Sequence, residues 1–207
     1  MKQDQQSFLL SDSAMQAASY STYENFKPHL KVSAAELKSW KKRLIGFQTH
    51  LTPAAAQGDL FEDVFNAASV CAEDAAASSI DPFSLRRQNT EFWRWQFDDV
   101  GVAAMYFVID YGAIALGSPI LLYIGETIKS NQRWKGEHDC KRYLLNYRQV
   151  HYDYGLKSEL GIAFWPAAPT DRKARQALES ALIYRWRSPF NKENWRFWNT
   201  PFVDGKA

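Results

Sequence analysis

Hydrophobic residues in the first half of the chain recur at helical spacing. Ser33 and Glu36 have the spacing of a capping box, in which two side chains satisfy backbone N–H groups at the start of a helix. Apolar side chains then follow every three or four positions, at Leu37, Trp40, Leu44, Phe47 and Leu51. Pro53 ends this pattern, and Asp59 with Glu62 begins a second one that continues through Phe61, Val64, Phe65 and Ala68. The pattern predicts two amphipathic helices.

From residue 102 onwards the pattern changes to that of β-strands. Residues 102–109 are rich in β-branched and aromatic side chains, residues 111–119 contain two glycines and a proline, and residues 120–124 are apolar again. We expect a hairpin whose second strand ends at Gly125. A third apolar run at residues 160–165 predicts one more strand.

Two further helices are predicted around these strands. The first covers residues 127–147, with apolar positions at Trp134, Tyr143, Leu144 and Tyr147. The second begins after Thr170 or Asp171, either of which can cap its N-terminus, and continues to Trp186. The expected fold class is α/β (α+β), a small antiparallel three-stranded sheet flanked by helices.

These elements divide the chain into a mainly helical region of unknown role, residues 1–98, and a sheet-containing domain, residues 99–207. The net charge of +2 divides at nearly the same place. Residues 1–99 carry a charge of −3, with 10 basic against 13 acidic residues, and residues 100–207 carry +5, with 15 against 10. The basic half is therefore the expected partner of a polyanion.

Composition excludes several classes of protein. A hydrophobic content of 46% with 23% charged residues is typical of a globular chain and not of a disordered one. Cys71 and Cys140 are too few for a disulfide framework and have no CxxC spacing, which favours a reducing, cytoplasmic location. The first twelve residues are too polar for a secretory signal, and the longest apolar stretch, residues 114–125, is interrupted by Gly117 and Pro119. We therefore expect no membrane partner.

A segment between residues 81 and 99 interleaves aromatic rings with arginines. Its members are Phe83, Arg86, Arg87, Phe92, Trp93, Arg94, Trp95 and Phe97. Rings and guanidinium groups in alternation can stack on bases and hold phosphates. Large aromatic side chains are usually buried, so the same segment can equally be the seam between the two regions.

The candidate chemistry lies in five elements that follow one another along the second region. Ala104-Met105-Tyr106 is the first, Tyr123-Ile124-Gly125 is the second, and Arg133, Glu179 and Asn191 complete the series. Their order and spacing resemble those of the GIY-YIG nuclease superfamily over about residues 100–200. A single such triplet recurs by chance, whereas five elements in order form a specific pattern.

The resemblance implies cleavage of DNA phosphodiester bonds with Mg²⁺, or Mn²⁺, as cofactor. It places the phenols of Tyr106 and Tyr123 near the attacking water and Arg133 on the scissile phosphate. Glu179 becomes the metal ligand, and Asn191 supports the site. Such a site suits the reaction, because an anionic phosphodiester needs positive charge and an activated nucleophile, and Mg²⁺ keeps most of its waters and needs few protein ligands.

Three positions depart from the family pattern. Ala104 stands where the family has glycine, and the connection between Tyr106 and Tyr123 is longer than usual. Many members have a histidine one turn after the arginine, where this chain has Glu137, with His138 next to it. A shift of one residue turns a helical side chain by about 100°, so His138 is a candidate proton-transfer group only if the helix is irregular there.

Two further groups of residues could bind a nucleic acid or a metal ion, and each is considered by its spacing. Lys135, Lys141, Arg142 and Arg175 are candidate contacts to the nucleic-acid backbone. The group His138, Cys140, His151 and Asp153 has potential metal ligands, but its spacing matches no common zinc pattern. We therefore predict no zinc site.

Two other functions remain open at this point. One is a nucleic-acid-binding module that has lost cleavage, and the other is an aromatic-rich protein-interaction domain. The pattern does not select among restriction, repair and homing roles, nor between a monomer and a homodimer.

Overall fold

A computed structural model of the chain describes residues 32–51, 72–89, 102–129 and 139–202. Five α-helices lie within these ranges: α1 Ala34–Thr49, α2 Ala72–Ser79, α3 Asp139–Asp153, α4 Arg172–Trp186 and α5 Trp195–Trp198. Four strands accompany them: β1 Arg87–Asn89, β2 Ala104–Asp110, β3 Ile120–Thr127 and β4 Leu160–Trp165. Among these described helices, none combines the length and apolarity needed to cross a bilayer.

The four strands form one antiparallel sheet in the order β1-β4-β2-β3. The predicted α/β class is confirmed, whereas the prediction of three strands was one short. The additional strand β1 pairs Arg87 with Ala163 and Asn89 with Gly161. Its three residues, Arg-Gln-Asn, are polar and too few to show an alternating pattern, so only the backbone of β4 determines their conformation.

A β-bulge lies in the pairing of β2 with β3. Ile109 pairs with Leu121 and Val108 pairs with Tyr123, so Leu122 is the extra residue between them. Because of this extra residue, Leu122 and Tyr123 are consecutive and yet both pack towards the same side of the sheet. The bulge thereby sets which face carries the Tyr123 phenol.

The sheet separates two hydrophobic cores. The first contains buried side chains from α1, α3 and the C-terminal segment, among them Leu37, Leu44, Tyr143, Tyr147, Phe190, Trp198 and Phe202. The second contains side chains from α2 and α4, among them Ala77, Leu178, Leu182, Ile183 and Trp186. Elements before residue 98 thus contact elements after it, and the division of the chain at that residue stays a prediction.

The helix starts follow from local side-chain chemistry. At α1 the Ser33 N–H donates to Glu36 Oε2 at 2.7 Å, and the Glu36 N–H donates to Ser33 Oγ at 3.2 Å, as the capping box predicts. At α4 the Asp171 carboxylate accepts a hydrogen bond from the Ala174 N–H at 2.9 Å. Helices α1 and α4 and strand β4 therefore lie where their sequence patterns predict them. The predicted helix after Asp59 falls outside the described residues.

The prediction for residues 127–147 was wrong at its N-terminal end. Thr127 belongs to β3 and pairs with Ala104, so β3 continues two residues beyond Gly125. In the described part of this segment α3 begins at Asp139, and it continues to Asp153. The backbone of β2 can pair with β3 as far as Ala104. This strand pairing outweighs the helical pattern of the side chains, so Thr127 lies in a strand.

The described part of the arginine and aromatic segment is used for packing. The Phe83 ring contacts Trp186 edge to face, with centroids 5.5 Å apart. The Arg87 guanidinium lies 4.5 Å from the centroid of the Tyr111 ring and forms a 2.7 Å ion pair with Glu159. For these residues, packing of the two regions against each other is the better interpretation. Positions 92–97 lie outside the described residues.

Asp110, at the end of β2, is the centre of a buried polar network. Its Oδ2 accepts hydrogen bonds from Lys41 Nζ at 2.8 Å and from the Tyr147 hydroxyl at 2.7 Å. Its Oδ1 accepts from the N–H groups of Gly112 at 2.9 Å and Glu159 at 2.8 Å. The side chain has no exposed surface. One carboxylate thus connects α1, α3, the turn after β2 and the loop before β4.

His151 completes this network as a neutral imidazole. Its Nδ1 lies 2.7 Å from the Tyr147 carbonyl oxygen and therefore carries the proton, which leaves Nε2 to accept from Lys41 Nζ at 3.0 Å. Burial, followed by the charge of Lys41, lowers the pKa of His151 to about 4. Burial alone would raise the pKa of Asp110, but the Lys41 charge and the hydrogen bonds from Glu159, Lys41 and Tyr147 lower it overall.

We predict that Lys41→Met destabilises the protein by about 3–5 kcal/mol, because it leaves Asp110 buried without its counter-charge. The free energy of unfolding in urea measures the effect. Lys42→Met is the matched control, since Lys42 is exposed on the same helix and its replacement is expected to change stability by about 0.5 kcal/mol or less. Equal stability of the two variants would contradict the role assigned to Lys41.

We predict that stability falls as the pH drops below 6.5. The unfolded chain protonates His151 near its ordinary pKa of 6.5, whereas the folded chain resists protonation down to about 4, so the unfolded state binds more protons in between. The limiting slope is about 1.4 kcal/mol per pH unit. Urea unfolding from pH 7 to 4 should show this slope, and His151→Gln should reduce it. His50→Gln, at an exposed position, should leave the slope unchanged, and a wild type without the slope would contradict the assignment.

Candidate functional site at the Tyr123-Ile124-Gly125 segment

The phenols of Tyr106 and Tyr123 lie together on one face of the sheet. Their ring centroids are 6.0 Å apart, and the rings are tilted by 30° to each other. The side chains share a hydrogen bond. Tyr106 is fully buried and also contacts Phe164, whereas Tyr123 is only partly buried. Of the two tyrosines, Tyr123 is therefore the one with exposed surface.

Gly125 is the residue that allows Tyr106 to take this position. The two residues face each other across the β2–β3 pairing. A Cβ atom on residue 125 would overlap Cζ and Oη of Tyr106 and would lie 2.7 Å from its Cε1. The third position of the triplet therefore has to be glycine because the neighbouring phenol lies directly over it.

Asn191 holds the middle residue of the triplet. Its Oδ1 accepts a hydrogen bond from the Ile124 N–H at 3.0 Å, and its Nδ2 donates to the Ile124 carbonyl oxygen at 2.8 Å. The Ser188 hydroxyl donates to the same Oδ1 at 2.6 Å. Asn191 thus pairs with β3 in the way a neighbouring strand would. Both ends of its amide are engaged, so its effect on a substrate is through the backbone that it supports.

Glu179 lies in the middle of α4. This helix packs on β3, and Leu178 and Leu182 are buried beneath it in the second core. Glu179 is partly exposed, and its charge is one of the causes that raise the pKa of Tyr123. The carboxylate and the phenol are therefore electrostatic neighbours.

The Tyr123 phenol holds its proton strongly. Burial is the largest cause of its raised pKa, and the neighbouring Tyr106, Cys140 and Glu179 raise it further. At neutral pH Tyr123 is consequently a hydrogen-bond donor and not a base. It can act as a base only when positive charge stands beside it to stabilise the phenolate.

Arg175 was a candidate phosphate contact, but the structure places it in the interior. The side chain is 5% exposed, and its Nε forms an ion pair with Glu126. Its Nη1 donates to the carbonyl oxygens of Pro169 at 3.1 Å and Thr170 at 3.0 Å. The guanidinium joins the start of α4 to β3, so its donors face the protein and not a nucleic acid.

The other predicted basic contacts lie in or before α3. Lys141 and Arg142 are partly exposed in its first turn, and the Arg142 guanidinium lies 5.4 Å from the centroid of the Tyr143 ring. Three candidates lie outside the described residues: Arg133, Lys135 and His138. Of the six predicted catalytic residues, contacts bring Tyr106, Tyr123 and Asn191 to one segment, and Glu179 is linked to it by the effect of its charge on the pKa of Tyr123.

Among the predicted site residues, Glu179 carries the one carboxylate that could hold a cation. Within the described ranges, no group of three or more His, Cys, Asp or Glu side chains converges. Cys140 is buried, His151 is bound in the Asp110 network, and Asp153 accepts a 2.7 Å hydrogen bond from Gln149. Glu179 offers one hard oxygen ligand at a partly exposed position, which suits a cation that keeps several waters.

Two residues near the segment were missed in the sequence. Cys140 is buried in the first core and is one of the causes that raise the pKa of Tyr123, and Glu126 binds Arg175 directly after the triplet. The spacing of Cys140 gives no signal. Glu126 lies next to Gly125 in an apolar strand. A charged residue in such a strand usually has a partner, so Glu126 was detectable from the sequence.

Comparison of the chain with protein-family models, with curated proteins and with solved structures gives no match.

We predict that Gly125→Ala displaces the Tyr106 ring and destabilises the protein by about 1–3 kcal/mol, the usual cost of overpacking a core. Urea unfolding measures the stability, and near-ultraviolet circular dichroism reports the tyrosine environment. Gly46→Ala is the control, because a Cβ at that position in α1 meets nothing within 4 Å. It should stabilise the helix by up to about 1 kcal/mol. If Gly46→Ala destabilised the protein and Gly125→Ala did not, the role assigned to Gly125 would be contradicted.

Proposed function

We propose that this protein is a divalent-metal-dependent endonuclease that hydrolyses DNA phosphodiester bonds with a GIY-YIG-type site. The observation that supports the proposal is the convergence on one triplet. Tyr106 lies over Gly125, Asn191 pairs with the Ile124 backbone, and Glu179 acts electrostatically on Tyr123. These side chains come from β2, β3, α4 and the turn after α4.

Each described residue has a separate task in the proposed reaction. Glu179 holds Mg²⁺ or Mn²⁺, which when bound supplies positive charge to the phosphate and to the nucleophile. Tyr123 donates its proton in a hydrogen bond to the attacking water or to a phosphate oxygen and so orients it. Tyr106 fixes the Tyr123 ring, and Asn191 fixes the strand that carries it.

The raised pKa of Tyr123 limits the ways in which it can assist. Removal of the phenol proton needs a cation close to its oxygen. The family resemblance assigns Arg133 to this neighbourhood, with His138 as a group that could receive the proton. Lys135, Lys141 and Arg142 are proposed contacts to the DNA backbone, and Arg175 is not, because it is buried and paired with Glu126. A cytoplasmic location and a monomer or homodimer are part of the same proposal.

A second candidate is a module that binds nucleic acid without cleaving it. The raised pKa of Tyr123 favours this candidate, because it opposes formation of the phenolate. The displacement of the histidine from its family position to His138 favours it as well. A cleavage assay separates the two candidates.

We predict that the wild type nicks supercoiled plasmid DNA in the presence of Mg²⁺, and that Glu179→Gln lowers the rate by about 100-fold or more. This is the usual effect of losing one preorganised electrostatic contact to the transition state. Gel separation of supercoiled and nicked plasmid measures the rate. Binding of the same DNA in EDTA should be unchanged, because Glu179 is assigned to the metal and not to the DNA.

Glu159→Gln is the control for this experiment. Glu159 is a partly exposed carboxylate that pairs with Arg87, and its side chain has no part in the proposed site. The control should cleave at the wild-type rate. Equal activity of Glu179→Gln and the wild type would remove Glu179 from the site. Binding without cleavage by the wild type would select the second candidate.

A further inference from the structure

Two large aromatic rings stay exposed beside one arginine at the C-terminal end of α4. Tyr184 is 69% exposed and Phe197 is 54% exposed. The Arg187 guanidinium carbon lies 4.2 Å from the centroid of the Tyr184 ring and 5.3 Å from that of Phe197. We call these three side chains the aromatic-arginine surface. Their neighbours in the C-terminal segment, Trp198 and Phe202, are buried in the first core.

The surface is held in place by the protein before any partner binds. Arg187 ends α4 in the left-handed conformation at φ 48°, with its N–H donating to the Ile183 carbonyl oxygen at 3.0 Å. The Phe197 ring contacts Trp198 and Phe47 edge to face, at centroid distances of 4.9 Å and 6.0 Å. A non-glycine residue at positive φ is uncommon. This conformation at Arg187 accompanies the placement of its guanidinium against both rings.

The charge around the surface suits an anionic partner. Besides Arg187, the segment that carries Phe197 has the basic side chains Lys192 and Arg196 and the acidic side chain Glu193. Lys192 and Arg196 are exposed on the segment that carries Phe197. Exposed rings close to positive charge are the recognised combination for single-stranded nucleic acid, in which bases stack and phosphates pair with cations.

We propose that the aromatic-arginine surface binds an unpaired nucleobase of a single-stranded nucleic acid. The base stacks on the exposed face of Tyr184 or Phe197, and the Arg187 guanidinium pairs with an adjoining phosphate. The choice of a polyanionic partner rests on the proposed nuclease function. The inferred strand is one with unstacked bases, such as a single-stranded end or a branch.

The Arg187 guanidinium covers only part of these rings, because both side chains remain more than half exposed. One face of the Tyr184 ring is covered by the guanidinium at 4.2 Å, so the exposure of the side chain is on the remainder of the ring. Every base has a π face, so this surface needs no particular sequence.

The test compares oligomers that have the same phosphates with and without bases. Fluorescence anisotropy in EDTA measures the affinity of the full chain for a labelled oligothymidine and for an abasic oligomer of equal length. The wild type should bind the oligothymidine on the order of ten-fold more tightly than the abasic oligomer. Tyr184→Ala should lose most of this preference, and Tyr184→Phe should retain it, because the ring stays in place. Arg187→Lys should weaken binding of both oligomers alike, since an ammonium keeps the charge but not the bidentate pairing with a phosphate.

Tyr152→Ala is the matched control, because Tyr152 is 75% exposed on α3 and lies outside the aromatic-arginine surface. It should keep the wild-type preference. Equal wild-type affinity for the two oligomers, or loss of the preference in Tyr152→Ala as much as in Tyr184→Ala, would overturn the proposal. The RNA oligomer of the same sequence distinguishes ribose from deoxyribose partners. If the protein cleaves plasmid but shows no preference for bases, the nuclease proposal stands and the base-stacking proposal fails. If it prefers bases but does not cleave, the base-stacking proposal stands and the nuclease proposal fails.

Discussion

The buried carboxylate of Asp110 is the constraint on which the arrangement of this fold depends. A carboxylate without exposed surface is costly unless opposite charge and hydrogen-bond donors surround it. Here the donors come from Lys41, Tyr147, Gly112 and Glu159, which lie on four separate segments. Satisfying one buried group therefore requires α1 and α3 to dock on the same face of the sheet. That face also carries the two phenols of the candidate site.

The candidate site lies on an edge strand whose free side is closed by side chains. The Gln48 amide pairs with both backbone groups of Leu121 at 2.9 Å, and the Asn191 amide pairs with those of Ile124. Between them the Phe190 N–H donates to the Leu122 carbonyl oxygen at 2.9 Å. These contacts replace a fifth strand and protect the edge from pairing with another chain. They also fix the backbone of the triplet, so the Tyr123 phenol has a defined position.

The sequence predicted those helices and strands whose positions depend on residues close together along the chain. The capping box at Ser33, the cap at Asp171 and the apolar run of β4 each depend on residues within a few positions of one another. Strand β1 could not be predicted, because its polar residues take their conformation from β4. The partners of Asp110 were also beyond prediction, since Lys41 and Tyr147 are 69 and 37 positions away.

In the candidate site, too, the sequence showed which residues belong to the motif but not which of them lie close together in space. The motif residues were identified by their order along the chain, which says nothing about their distances in space. That Tyr106, Glu179 and Asn191 all act on one triplet follows from strand register, helix packing and the bulge at Leu122. Arg175 was misassigned because its sequence context resembles that of a solvated charge, and only tertiary contacts show its burial between α4 and β3.

We propose that one cation binds at Glu179, close to the Tyr123-Ile124-Gly125 segment. The most direct measurement is the backbone amide NMR spectrum of the full chain during titration with Mn²⁺, whose unpaired electrons broaden signals of nearby nuclei. We expect the amides of Glu179 and of residues 123–125 to broaden at the lowest Mn²⁺ concentrations, and we expect Glu179→Gln to remove this effect. Early broadening confined to other acidic positions such as Asp153, with residues 123–125 unaffected, would contradict it.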